Sequence, residues 1–343
     1  MPFLPYFEGY KSKNTYGEVL GMDNKFLELM ECTGIIPVIK LEKIENAVHL
    51  AKALYDGGIH AAEVTFRAAG ADKVISAMTK AYPDMLVGAG TVLTTEQVDA
   101  AIAAGAKFCV APGLNPRIVK HCMDQGVPFC PGVANGSQIE QAMELGLNFV
   151  KFFPAEQAGG INYIKAISAP YFQMKFMPTG GVNEGNLNNY LANPKVVCCG
   201  GSWIVPDKLV KEEKWDEITA LCKTAVNKML NFQLVHIGVN CDDEQQAIAT
   251  AKQFEALFGW GTKVGNSSVF AGTQVECMKG NGRGTHGHIA VSTGNVKRAV
   301  WQLSNQGIAF DESSFKYDAS GRMTVAYLRD EVLGFAIHLV EKK

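Results

Sequence analysis

The 343-residue chain has nine cysteines but no CxxC pair. An odd number of thiols, several in strand-like runs (KFCVAP, PFCPG, VVCCGG), argues against a disulfide framework. It fits small buried hydrophobes in a reducing compartment. Blocks of like charge are also missing: 32 Lys and Arg stand against 34 Asp and Glu, a net charge of −2, and the basic residues are scattered. That scatter excludes a phosphate-backbone groove and a polybasic membrane surface, so neither nucleic acid nor membrane is expected as a partner. No run of about 18 apolar residues occurs, so no membrane span is expected. The start, MPFLPYFEGYKSKN, lacks a basic stretch followed by an apolar core. No signal peptide is expected from it, and the expected location is cytoplasmic.

What the chain does have is periodicity. Its hydrophobic content is 47%, ample for packed cores, and its length suggests about two domains. From residue 34, short β-branched runs alternate with longer amphipathic stretches. The runs are GIIPVIK (34–40), AAEVTF (61–66), MLVGAGTV (85–92), KFCVAPG (107–113), PFCPGV (128–133), NFVKFF (148–153), KFMPTGG (175–181) and VVCCGGSW (197–203). Eight such strands with intervening helices predict a closed (β/α)8 TIM barrel, with an open doubly wound sheet as the rival. A different grammar begins near 232, where the pair HIGV and HIAV marks an internal repeat. The runs LVHIGVN, SSVFAG, TQVECMKG, HGHIAVST, MTVAYLRD and GFAIHLVEK read as strands, with helices over DDEQQAIATAKQFEALFGW and NVKRAVWQLSNQG. The expectation is a 1–22 extension, a 23–230 barrel, and a smaller α+β domain of paired β-α-β-β-β modules over 232–343.

Barrel chemistry sits at the C-terminal ends of the strands, and the unusual polar residues gather there. Lys151 lies inside the apolar run NFVKFF with no acidic residue directly beside it. An amine taken out of water favours its neutral form, which can attack a ketone and form a Schiff base. On this reading the lysine needs no protein partner, because the substrate is its partner. Glu63 is the candidate general base and acid. Arg67 and Thr91 can hold a carboxylate. PTGG (178–181) and GGSW (200–203) suit a phosphate, through backbone N–H groups and the Ser202 hydroxyl. The plain alternatives are an inward carboxylate that pairs with Lys151 merely to satisfy its burial, and a local Glu63–Arg67 ion pair.

GIIPVI, EVTFR, GAGTV, APG, PGV, VKFFPAE, PTGGV and GGSWIVP, in this order over roughly 25–228, resemble the 2-keto-3-deoxy-6-phosphogluconate and 4-hydroxy-2-oxoglutarate aldolases. These are class I pyruvate aldolases. The resemblance implies that Lys151 forms the Schiff base and that Glu63 shuttles protons. It implies that Arg67, Thr91, Pro112 and Phe153 line the pyruvyl pocket, and that Thr179, Gly180, Gly181, Gly201 and Ser202 face the phosphate end. It also implies a small-molecule 2-keto acid phosphate substrate, no cofactor for the aldol step, and a homotrimer. EVTFRAAG departs from relatives that often carry Thr after the Arg. The galactonate-derived epimer is a rival substrate, since one inverted hydroxyl is not readable from sequence.

In the second domain the repeat offers one polar residue at each of four equivalent places: His236, Glu276, His288 and His338. Such a set suits a divalent transition metal, with His286 a register alternative to His288. HIGVN, VECMKG, GHIAVS and LGFAIHLVEK resemble the vicinal oxygen chelate superfamily, which includes glyoxalases and dioxygenases. Glyoxalases commonly have Glu where His338 stands, so their isomerisation is not expected here. A second activity, this domain as the main catalyst beside a vestigial barrel, and a sensor or oligomerisation arm for the barrel all stay open.

Overall fold

A computed structural model describes residues 24–342. The extension expected over 1–22 lies outside them. The chain divides between Met229 and Leu230 into two compact units.

The first unit carries nine strands: β1 (Ile35–Ile39), β2 (Ala61–Thr65), β3 (Leu86–Gly90), β4 (Cys109–Val110), β5 (Phe129–Cys130), β6 (Gly132–Val133), β7 (Phe149–Phe152), β8 (Lys175–Pro178) and β9 (Cys199–Gly201). Pro131, which has no N–H to give a ladder, separates β5 from β6, so the nine strands make eight staves. Neighbouring staves pair in parallel in chain order, with Val38 opposite Glu63, Thr65 opposite Gly90, and Lys151 opposite both Gly132 and Met177. The ring closes where β1 pairs with β9, Ile36 opposite Gly200, and where Thr179 bridges to Gly200. First-to-last pairing excludes the open doubly wound sheet and gives a TIM-barrel-like α/β fold.

Both faces of the staves are covered, which is why they read as continuous apolar runs rather than alternating ones. Local capping sets the helix starts: Thr94, Asn115 and Asn135 accept from the backbone N–H of Gln97, Arg117 and Gln138. The helix Asn24–Thr33 sends Phe26, Leu27 and Met30 into one cluster with Ile36, Ala61, Leu86, Phe108 and Phe149. Most of these sit at the N-terminal ends of their strands. That end of the barrel is plugged with hydrocarbon, and the opposite end is left for polar groups.

In the second unit the strands are β10 (Gln233–Asn240), β11 (Thr262–Val264), β12 (Ser268–Ala271), β13 (Val275–Met278), β14 (Gly287–Thr293), β15 (Phe310–Tyr317), β16 (Met323–Leu328) and β17 (Phe335–Glu341). They form one sheet in the order β11-β12-β13-β10-β14-β17-β16-β15. Each half is a β-α-β-β-β module with its first and last strands parallel, and the halves join through antiparallel β10 and β14. β11 and β15 were not among the strand-like runs. No helix among the described residues is long and apolar enough to cross a membrane.

His60, just before β2, is 8% exposed, and its ring meets Tyr55 edge-on at 4.4 Å. Burial pushes its imidazole down to about 4, against a smaller opposing pull from Asp84. The unfolded chain takes up this proton near the ordinary value of about 6.5. Between these values the unfolded state binds more protons, so barrel stability is expected to fall as pH drops through that window. The total is at most about 3 kcal/mol. His60→Gln should flatten this slope in urea unfolding measured across the window. An unchanged slope would contradict the assignment.

Candidate functional site

The open end of the barrel holds a buried pair. Lys151, on β7, and Glu63, on β2, are 5% and 0% exposed, and Lys151 Nζ lies 3.1 Å from Glu63 Oε1 and 3.4 Å from Oε2. The lysine therefore does have a protein partner, an inward carboxylate as in the plainer sequence reading, contrary to the reading that gave it none. Nor does Glu63 pair with Arg67: the exposed Arg67 donates through Nε to Thr65 Oγ1 at 3.3 Å, and Thr65 donates to the Ile39 carbonyl at 2.9 Å.

The surroundings make room for this pair. A Cβ on Gly90 would stand 2.4 Å from Glu63 Oε1, so only glycine admits the carboxylate there. The Phe153 ring centroid is 5.4 Å from Lys151 Nζ. Thr91, half-buried, has φ 55°, an uncommon left-handed conformation for a threonine and one that gathers at functional sites. Pro112 is exposed, and its carbonyl occupies the space a Cβ on Gly132 would need. Cys130 was not singled out from sequence. It is fully buried, with its thiol pushed well above the usual range by burial and with Lys151 and Glu63 as charged neighbours.

The glycine-rich rim is built by backbone bonds. Thr179 N–H donates to Phe152, and the N–H groups of Ala155 and Glu156 donate to Thr179 and Gly180. Gly180 and Gly181 have φ of 96° and 82°, which only glycine adopts readily. Thr179 is buried against Gly200, whereas Gly181 and Ser202 are exposed; Gly201 lies under the Trp203 ring. Glu156 was also missed by sequence reasoning. It accepts from the buried Tyr190 hydroxyl and packs beneath Gly181, holding the rim. A buried amine and carboxylate in contact, beside a glycine rim, can form an imine with a ketone and move protons around it.

In the second unit the sheet register brings four distant residues together. His236 Nε2 lies 3.1 Å from His288 Nε2, and Glu276 Oε2 lies 3.1 Å from each of those nitrogens. His338 completes the group: each of the three histidines offers a nitrogen within 4.8 Å of the others. Both His338 nitrogens are buried without a hydrogen-bond partner among the described residues, and the Tyr327 ring stacks on the imidazole at 4.5 Å and 13°. Burial first, then the neighbouring His288 and His236, lower the His338 imidazole to about 3. Burial alone would raise Glu276, yet hydrogen bonds from His236, His288 and Ser268 hold it well below the usual carboxylate range. His286 is not part of the cluster; its ring packs against Phe335 and under Gly334.

The family described as KDPG and KHG aldolase matches residues 27–221. The 2-dehydro-3-deoxy-phosphogluconate aldolase of Treponema pallidum is 49% identical over 194 residues, 57% of this chain and 92% of that protein. The KHG/KDPG aldolase of Escherichia coli K12 is 42% identical over 56% of this chain and 90% of its own length. Among solved structures, KDPG aldolase from Legionella pneumophila, with pyruvate captured as a covalent carbinolamine, is 42% identical. It superposes with a TM-score of 0.56 over 58% of this chain and 97% of its own.

The cluster in the second unit depends on Gly238, which pairs with both Glu276 and His288. A Cβ there would stand 2.0 Å from the His288 ring. Gly238→Ala is expected to displace that ring and cost about 1–3 kcal/mol, read as a lower melting temperature of the second unit. A melt matching the parent protein would contradict the packing described.

Proposed function

This chain belongs to the KDPG and KHG aldolase family, and we propose that Lys151 and Glu63 carry the Schiff-base chemistry of its barrel. The reaction is the class I cleavage of 2-keto-3-deoxy-6-phosphogluconate to pyruvate and glyceraldehyde 3-phosphate. The similarity to the E. coli enzyme extends the proposal to 4-hydroxy-2-oxoglutarate, giving pyruvate and glyoxylate. The single observation that supports the roles is the buried 3.1 Å contact between amine and carboxylate.

The contact lets one proton pass from Lys151 to Glu63, leaving a neutral amine. Its lone pair attacks C2 of the 2-keto acid to give a carbinolamine, which loses water to a protonated imine. Glu63, again a carboxylate, takes the proton from the C4 hydroxyl. The C3–C4 bond breaks, its electrons pass into the imine as an enamine, and the aldehyde leaves. Glu63 returns the proton to C3, and water hydrolyses the imine to pyruvate and free Lys151. Arg67 and Thr91 hold the substrate carboxylate, while Phe153 and Pro112 wall the pyruvyl end. Thr179, Gly180, Gly181, Gly201 and Ser202 take the phosphate through N–H and hydroxyl donors. A homotrimer, which the family resemblance implies, belongs to the same proposal.

The second unit supports a further reading. His236, Glu276, His288 and His338 suit one divalent transition metal: three imidazoles and one carboxylate converge, and the buried unpartnered nitrogens of His338 lack any other ligand. Bound there, such an ion supplies positive charge for an oxygen anion. The resemblance to the vicinal oxygen chelate superfamily points the same way.

Glu63→Gln keeps the shape of the side chain and removes the base. Pyruvate release is expected to slow by about 10² to 10⁴. A wild-type rate would rule out the role of Glu63. A chelator should leave cleavage unchanged, since the protonated imine is itself the electron sink. Loss of activity restored by added metal, with the fold intact, would contradict the Schiff-base route. Elemental analysis of the full chain after growth with zinc, nickel, iron and manganese should find about one ion per chain, fewer in His288→Ala. Metal-free protein would contradict the second reading.

A further inference from the structure

The four clustered residues form one wall of a cavity of about 370 Å³, whose other walls include Arg283, Ser313, Lys316 and Tyr327. Its size corresponds to roughly a dozen waters at about 30 Å³ each, room for a small metabolite. Among the described residues the only carboxylate lining it is Glu276, already engaged by His236, His288 and Ser268. The two cations are therefore not answered by a lining anion.

Arg283 is held in place. The Arg283 guanidinium sits 4.7 Å from the Tyr327 ring centroid, and that ring stacks on His338. Tyr327 thus contacts both the arginine and one histidine of the cluster. Asp311, outside the lining, receives Arg283 Nη1 at 2.6 Å and also accepts from Ser313 N and Oγ. This ties the arginine to the strand that carries Lys316. Between Asp311 and Lys316 the β15–β16 register shifts, an irregularity of the kind that re-aims side chains near sites. Lys316 has no ion-pair partner among the described residues.

We propose that this cavity takes a small acid with two anionic groups, a 2-oxo or 2-hydroxy acid whose chelating end faces the histidines and whose second anionic group is held by Arg283 and Lys316. The proposal rests on the metal reading above. A planar arginine fork and a point-charge lysine suit a distal carboxylate or phosphate. The barrel's own substrate has the same layout, a 2-oxo acid head and an anionic tail.

Malate and lactate test this in the full chain, because a 2-hydroxy acid has no carbonyl for Lys151 to attack. The metal content of each protein is measured first, and binding is then followed by calorimetry. Malate is expected to bind about tenfold or more tighter than lactate. Arg283→Met and the exposed-site variant Lys316→Met should each erode that preference and leave lactate unchanged. Metal uptake with equal binding of the two acids, or with a preference untouched in both variants, overturns the anion subsite and leaves the metal reading standing. No metal uptake but a preference that depends on Arg283 overturns the metal reading, and with it the chelating end of the proposal, and leaves the anion subsite standing. Neither uptake nor preference overturns both.

Discussion

An amine can remain in a dry barrel mouth only if something answers its charge, and here that is one carboxylate from a strand 88 positions away in the chain. Lys151 and Glu63 are almost wholly shielded from water. Breaking such a pair by removing one member leaves an uncompensated buried charge, which costs several kcal/mol. The rest of the mouth follows from accommodating them. Position 90 has to be glycine for the carboxylate to fit. The Phe153 ring lies against the amine, and the helix Asn24–Thr33 fills the far end of the barrel with hydrocarbon. On the proposed mechanism the same contact serves both stability and chemistry.

The second unit obeys a different constraint. Its duplicated modules meet at β10 and β14, and the parallel pairings on either side set β13 and β17 at matching places. One polar residue per strand is thereby brought to one centre. A one-residue slip of any of the four strands would turn its clustered residue to the other face of the sheet. The exclusion of His286, two residues before His288, shows how closely the register selects the residue. His286 shares its strand face by parity, yet it lies beyond the cluster against Phe335.

Much of this was legible in the sequence, for identifiable reasons. The barrel staves are buried on both faces, so each reads as an apolar run, and the two duplicated histidine strands advertise themselves by near-identity. What was not legible depends on contacts between distant segments. Period-two alternation turns Glu63 inward but does not say that it meets Lys151 across the mouth. FDESSFKY is not among the strand-like runs, yet it forms β15, where Lys316 sits beyond a register shift. Arg283, in the loop before β14, finds its place only because Tyr327 is paired to His338 from another strand. Glu156 sits in plain view within VKFFPAE, but its task under Gly181 is visible only once the rim has folded.

The central claim is that the amine of Lys151 is the nucleophile. Incubation with pyruvate and borohydride reduces any imine to a stable secondary amine, and digestion followed by mass spectrometry locates it. The account predicts a single adduct on the peptide carrying VKFFPAE, at Lys151, with little labelling in Lys151→Met. An adduct on another lysine, or none under conditions where the enzyme turns over, would contradict it.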